Sequence, residues 1–258
     1  LRSRLNDPET APEVKTALVR GARYLPPADV VDALVAQLFV PEGAGVSRLE
    51  VLETMRAMNL AGFAEVPGSL LKLFSMNVTE DEKEIASALL ERHADAQLFQ
   101  SLVALSGGTH PADKRCAIRA LASLALREKG VPVDVLIHRL YLLLRDTDES
   151  VRIESLFALV ALDDDYAHKI LKEWLTGESD GVRAAIIRRL ARPIPNDLLL
   201  LLIGLMESES AELHKVLREV LPAACRSRVC EEVQKAVFSY LEAERGAKAV
   251  SYTHLRAH

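Results

Sequence analysis

Three groups of residues are of kinds that carry chemistry. The acidic run Asp163-Asp164-Asp165, with Asp146, Asp148 and Glu149 shortly before it, offers oxygens of the sort a hard cation takes. It has neither calcium-loop spacing nor a turn glycine, and acidic residues ahead of helices are expected in any case. His93, His110, His138, His168 and His214 do not pair with one another or with a cysteine at ligand spacing. Cys116, Cys225 and Cys230 are odd in number and lack C-x-x-C spacing, so they read as free thiols of a reducing compartment. G-x-S-x-G, a Gly-rich phosphate loop and H-E-x-x-H are all absent. The sequence therefore points to no catalytic residue, no metal and no cofactor.

What remains is binding. Arg183, Arg188, Arg189 and Arg192, followed by Lys215, Arg218, Arg226 and Arg228, make the C-terminal half locally basic. Converging on one face they would grip an acidic peptide or a phosphate backbone. Arg188 and Arg189 lie opposite the apolar seam of Val182, Ile186 and Leu190, where a soluble helix carries charge, and a solvated face is the better reading. A net charge of -5 and 5% aromatic residues also disfavour nucleic acid as a partner. The longest apolar run, Leu198 to Met206, falls far short of the roughly twenty residues that span a bilayer, so no membrane insertion is expected. The composition suits a cytoplasmic protein, with a targeting leader left open because the chain starts at Leu1.

The elements that must position any binding surface are helices in repeated pairs. Asp148-Glu149-Ser150-Val151-Arg152 runs into Leu156, Leu159 and Leu162, and Ser179-Asp180-Gly181-Val182-Arg183 into Ile186 and Leu190. Ala211-Glu212-Leu213-His214-Lys215 begins a third copy. Leading apolar anchors at Val14, Val46, Ile85, Cys116, Val151, Val182 and Leu213 are spaced by 32, 39, 31, 35, 31 and 31 residues. Behind Val14, the apolar face is read as Ala17, Leu18, Gly21 and Ala22. Prolines 26, 27, 67, 132 and 195 mark the starts of second helices, and Asp113, Asp148 and Asp180 stand as caps of first helices. The Gly107-Gly108-Thr109-His110-Pro111 stretch reads as a plain loop between repeats in preference to a hinge.

These D-x-x-V-R-like openings resemble HEAT repeats, particularly the short bacterial type related to phycobilisome-lyase repeats, over about residues 12 to 240. The resemblance is good in the C-terminal half and loose before residue 80. It implies an all-α, right-handed α-solenoid of about seven antiparallel helical pairs, a HEAT-like superhelix. It also implies that Arg152 and Arg183, with Lys15 and His214 at the corresponding places, bond to acidic loop residues of their own or an adjacent unit, in preference to forming a partner-binding ladder. Residues 1–245 are expected to form one such solenoid, open at both ends as a fragment of a longer protein with further domains fused to it. Residues 246–258, with Val250-Ser251-Tyr252-Thr253-His254-Leu255-Arg256-Ala257-His258, resemble a translated sequencing adapter and are expected to be a non-native or disordered tail.

In such solenoids the second helices line the concave side, where partners dock. Asp134, His138, Tyr141 and Arg145 recur at intervals of four, three and four residues and so share one helix face. Lys169, Lys172 and Glu173 flank the Ile170, Leu171, Trp174 and Leu175 seam of the next second helix, and Leu201 and Leu205 are left on the one after. A polar rim beside an apolar floor suits a protein partner, unless missing sequence covers the leucines. The expected function is thus a protein-interaction scaffold. Two alternatives are a bilin-lyase-like protein, which needs a chromophore-sized pocket and an exposed reactive residue and is disfavoured if Cys116, Cys225 and Cys230 are all buried, and a HEAT-type alkylpurine glycosylase, which needs a basic groove with aromatics at its centre.

Overall fold

The computed structural model describes residues 1–7, 9–41, 45–190, 194–208 and 210–224. The basic residues Arg192, Arg226 and Arg228, the thiols Cys225 and Cys230, and the 246–258 tail lie outside them. The described residues form α-helices joined by turns and contain no strand. In chain order the helices are Arg2–Asn6 (α1), Pro12–Ala22 (α2), Pro27–Gln37 (α3), Arg48–Arg56 (α4), Glu65–Leu73 (α5), Glu80–His93 (α6) and Phe99–Leu105 (α7). Then come Pro111–Arg127 (α8), Val133–Leu143 (α9), Glu149–Ala161 (α10), Asp165–Gly177 (α11), Asp180–Arg189 (α12), Asn196–Gly204 (α13) and Ala211–Ala224 (α14). The chain divides into two compact units, Leu1–Asp164 and Asp165–His258.

In the first unit the even-numbered helices stack in sequence, α2 on α4, α4 on α6, α6 on α8 and α8 on α10. The odd-numbered helices are the second members of the pairs, and α5, α7 and α9 each pack against the first helix that follows. Each first helix buries one stripe: Val51, Leu52 and Met55 on α4, Ile85, Ala86, Leu89 and Leu90 on α6, and Cys116, Ala117, Ile118, Ala120 and Leu121 on α8. Val151, Ile153, Leu156 and Leu159 continue the spine on α10. Burial of each large aliphatic side chain contributes about 1.5–3 kcal/mol.

Two of the expected anchors are displaced. Val14 is 50% exposed, and α2 turns Lys15, Val19 and Ala22 inward in its place, with Ala17 and Gly21 facing out. Lysine tolerates that position because its aliphatic stem lies along apolar surface. Val46 is buried but precedes α4, whose first turn starts at Arg48 and whose inward residue is Val51. With Leu18 and Val51 as the equivalent positions, the steps become 33, 34, 31, 35, 31 and 31, and the long gap disappears.

Three residues before each equivalent position stands a polar side chain: Lys15, Arg48, Glu82, Asp113, Asp148, Ser179 and Ser210. In the last three copies it meets the amide of the anchor itself, Asp148 accepting from Val151 at 3.1 Å, Ser179 from Val182 at 3.4 Å and Ser210 from Leu213 at 3.4 Å. Asp180 is thus the first helical residue of α12, with Ser179 as its cap. In α6 and α8 the helix starts one turn earlier, so Glu82 and Asp113 fall inside the first turn. There they pair across the interface. Arg48 Nη1 lies 3.3 Å from Glu82 Oε2 with both side chains buried, while Arg48 Nε donates to the Leu38 carbonyl at 3.0 Å. Glu82 also accepts from the Thr79 amide at 2.7 Å, completing a capping box. Lys83 meets Asp113 at 3.3 Å, Lys114 meets Asp146 at 2.6 Å and Arg119 meets Glu154 at 3.0 Å. Arg20 and Glu50 form a bidentate pair at 2.6 and 2.9 Å between α2 and α4.

The loops follow the same economy. Leu162, Asp163 and Asp164 close α10 with amide bonds to the carbonyls of Ala158, Val160 and Leu159, and Asp163 takes the left-handed conformation (φ 57°) that such a C-terminal turn requires. Residues 107–110 form the turn between α7 and α8 inside the first unit, and Arg139 of α9 donates from Nε to the Ser106 hydroxyl at 3.0 Å. In the second unit α11 packs on α12, α12 on α14 and α13 on α14, around Leu171, Leu175, Val182, Ile186, Leu202 and Leu217.

Removing one member of the buried pair leaves the other without compensation. Glu82→Ala is expected to destabilise the first unit by about 3 kcal/mol in urea unfolding, and Arg48→Met with Glu82→Leu to recover most of that loss. Acid acts on the exposed pairs. The Arg20 guanidinium holds Glu50 below the ordinary carboxylate range, and the Ser150 hydroxyl with the Val151 amide does the same for Asp148. A lowered folded-state pKa favours the ionised native form, so this contribution is complete above about pH 5 and is lost as pH falls below about 4. Stability measured from pH 5 to pH 3 should fall less steeply in a Glu50→Gln, Asp148→Asn variant.

Candidate functional site

The second helices of the first unit each bury one side and leave the other to solvent. On α9 the buried side is Leu136, Leu140 and Leu143. Asp134 and His138 are exposed on the opposite side, and Arg145, just past the end of the helix, is exposed as well. Tyr141 sits half-buried at its border, with its hydroxyl donating to Asp164 Oδ1 at 2.5 Å. Val135, 49% exposed, and Leu142, 52% exposed, stand on the other border of the same face. The sequence reading missed both. Their only signal is angular, since positions 135, 138 and 142 fall at intervals of three and four, and apolar residues on an amphipathic helix ordinarily read as core.

The equivalent face of α3 presents Asp29 and Asp32, and that of α5 presents Glu65 and Lys72. On α7 it presents the uncharged Gln100, Ser101 and Ala104. The charges along these helices are therefore mixed, with acidic groups foremost.

The remaining expected residues belong to the second unit. Lys169 and Glu173 are exposed on α11 and lie 3.9 Å apart, one helical turn from each other. Lys172 reaches Asp197 Oδ2 at 2.5 Å, tying α11 to the start of α13. Leu201 and Leu205 are half-buried, while Leu198, Leu199, Leu202 and Ile203 form the buried side of α13. Of the basic residues, Arg188, Arg189, Lys215 and Arg218 are exposed, and Arg188 approaches Glu212 at 3.9 Å. Arg152, Arg183 and His214 each bond to a backbone carbonyl shortly before their own helix, in place of the expected acidic side chain: those of Asp146 (3.3 Å), Thr176 in the last turn of α11 (3.0 Å) and Met206 (3.0 Å). Their recurrence is thus explained by loop fastening.

Cys116 lies at the centre of α8, 1% exposed, and burial pushes its thiol up to about 12 against smaller opposing effects of the Ser87 hydroxyl and Arg119. A thiol so placed is inert at neutral pH. Among the described residues no group of three or more His, Cys, Asp or Glu is gathered in a way that holds a metal ion. No described helix is long and apolar enough to cross a membrane.

No protein-family model matches the chain, and no curated protein matches it. Among solved structures it is similar to an engineered protein, with 21% identity over 92% of this chain and 70% of the other and a TM-score of 0.41. It is also similar to a designed armadillo repeat protein in complex with the peptide (KR)4, with 20% identity over 81% of this chain and 97% of the other and a TM-score of 0.37.

In a Cys225→Ser, Cys230→Ser background, Cys116 is expected to resist a thiol reagent such as Ellman's under native conditions and to react fully once urea unfolds the first unit. Rapid native labelling would show that α8 is not packed as described.

Proposed function

We propose that the chain is a protein-docking scaffold of HEAT type, with the open face of α9 as its principal contact in the first unit. The observation that carries this reading is the pairing of two exposed aliphatic side chains, Val135 and Leu142, with His138 between them and Asp134 and Arg145 at the ends. An apolar edge beside a polar face is a pattern that suits a protein interface, and a helix whose opposite side is packed holds it rigid. Tyr141 contributes its ring edge while its hydroxyl stays with Asp164. Lys169, Lys172, Glu173, Leu201 and Leu205 offer a second, more polar surface on their own unit.

Two observations favour docking over the alternatives. A bilin-lyase-like role needs a reactive group within reach of solvent, and of the three thiols Cys116 is enclosed in α8, while Cys225 and Cys230 lie outside the described residues. A glycosylase-like role needs a cationic groove, whereas Asp29, Asp32, Glu65 and Asp134 outnumber Lys72 among the exposed residues of α3, α5, α7 and α9 in the first unit. The unbroken step from Val151 to Val182 and on to Leu213 supports treating both units as one family of repeats.

A photo-crosslinking residue at position 138 should capture adducts in extracts of the source cell that the same residue at position 88, exposed on α6, does not. Leu142→Asp should abolish them without changing the melting curve. Identical adducts from positions 138 and 88 would refute docking on α9.

A further inference from the structure

The junctions between successive first helices of the N-terminal unit share one polarity. The earlier helix gives a base and the later one an acid, in Arg20–Glu50, Arg48–Glu82, Lys83–Asp113, Lys114–Asp146 and Arg119–Glu154. On its side turned away from α4, α2 departs from this pattern. At the positions of Glu50 and Glu154 it carries Ala17 and Gly21, and at that of Glu82 and Asp113 it carries Lys15. Glu13, at the position of Asp146, is the one acid. Lys15 is 7% exposed and has no hydrogen bond or ion pair among the described residues. A further first helix stacked in the same sense would bring its base against this lysine, so the outward side of α2 does not suit one more step of the same row.

What α2 offers there is an apolar stripe. Val14, Ala17, Leu18, Gly21 and Tyr24 follow one another at intervals of three, one, three and three residues and lie along one side. Val14 is 50% exposed, Tyr24 is 81% exposed, and Ala17 and Gly21 are open to solvent. Leu18 is half-buried, whereas its equivalents Val51, Ile85, Cys116, Val151, Val182 and Leu213 are all buried. Helix α1 packs against α2 and α3 and leaves the stripe uncovered. The neighbouring cations are occupied elsewhere, Arg20 with Glu50 and Arg23 over the Tyr24 ring at 5.3 Å.

The stripe is complementary to itself. In an antiparallel pair of α2 helices whose two-fold axis crosses between Ala17 and Leu18, Val14 of each copy faces Gly21 of the other, and Leu18 faces Ala17. Each larger side chain thus meets a small residue. A Cβ on Gly21 would have no atom within 4 Å, which leaves the room that Val14 requires. The same symmetry carries Tyr24 to the start of the other helix and brings the exposed Glu13 toward Arg20 and Tyr24 of its twin. We propose that two copies of this chain associate through the outward stripe of α2, antiparallel about that axis. Parallel pairing sets Val14 on Val14 and Gly21 on Gly21 and loses the fit. One short helix per copy is less than the roughly 800 Å² per partner of a standard interface, so the dimer is expected to be weak, in the micromolar range. It carries two α9 faces, and it goes beyond the docking reading without resting on it.

Sedimentation equilibrium of the full chain between about 1 and about 200 µM should show a monomer and dimer in exchange. Gly21→Leu adds apolar surface but fills the place of Val14, so it should weaken association about tenfold. Its melting curve should be unchanged or higher, because leucine is the better helix former. Val14→Glu should weaken the dimer likewise, and Leu142→Asp on α9 should leave it as it is. In a Cys225→Ser, Cys230→Ser background, Val14→Cys mixed with Gly21→Cys should form disulfide-linked dimers faster than either variant alone. A monomer throughout that range, association kept or strengthened by Gly21→Leu, or faster linkage of like with like would overturn the proposal.

Discussion

Every interface between consecutive first helices of the N-terminal unit has two tasks at once. It must bury an aliphatic seam, and it must find a partner for the charged residue that the same helical turn carries into it. The seam alone is indifferent to register, because one leucine packs against another about equally well after a slip. The charges are not. Arg48 meets Glu82, Lys83 meets Asp113, and Lys114 meets Asp146, so a slip of one turn would bury several charges without partners. The ion pairs thus select the register in which the hydrophobic burial is collected.

That selection explains why the Arg48–Glu82 pair carries so many additional bonds. Taking two charges out of water costs several kcal/mol each, and the cost is offset only when the remaining donors and acceptors are also filled. The Leu38 carbonyl and the Thr79 amide fill them here. The pair therefore joins the end of one second helix, the start of one first helix and the start of the next. With the first helices held in this way, the second helices are free to differ on their outward sides. The surface passes from acidic on α3 to uncharged on α7 and to mixed apolar and polar on α9. The stacked row sets the spacing, and the outward residues set what can bind.

Much of this was legible in the chain. Ile85, Cys116, Val151, Val182 and Leu213, all expected to point inward, are all buried. Val14 and Val46 were misplaced because the first apolar residue of a stretch is an unreliable guide to where a helix turns inward. Nothing in composition says that Lys15 lies inside and Val14 outside. That Asp134 and His138 fall on one side of α9 followed from spacing alone. Val135 and Leu142 did not, because an apolar residue on a helix reads as core until the absence of a neighbour is seen. The bond from Tyr141 to Asp164 spans 23 residues, and the cleft lined by residues 60–67, 92–95 and 127–128 brings together stretches 25 or more residues apart. Such juxtapositions belong to the stacking of repeats and have no local signature.

Native-state hydrogen exchange on the full chain tests the central claim most directly, because it ranks the helices by how firmly the stack holds them. If paired charges and the aliphatic spine together hold the first helices, the slowest amides of the N-terminal unit lie in α6, α8 and α10. Those of α3, α7 and α9 should then exchange faster by at least an order of magnitude. Uniform protection across all of these helices, or the slowest exchange in the second helices, would contradict the account.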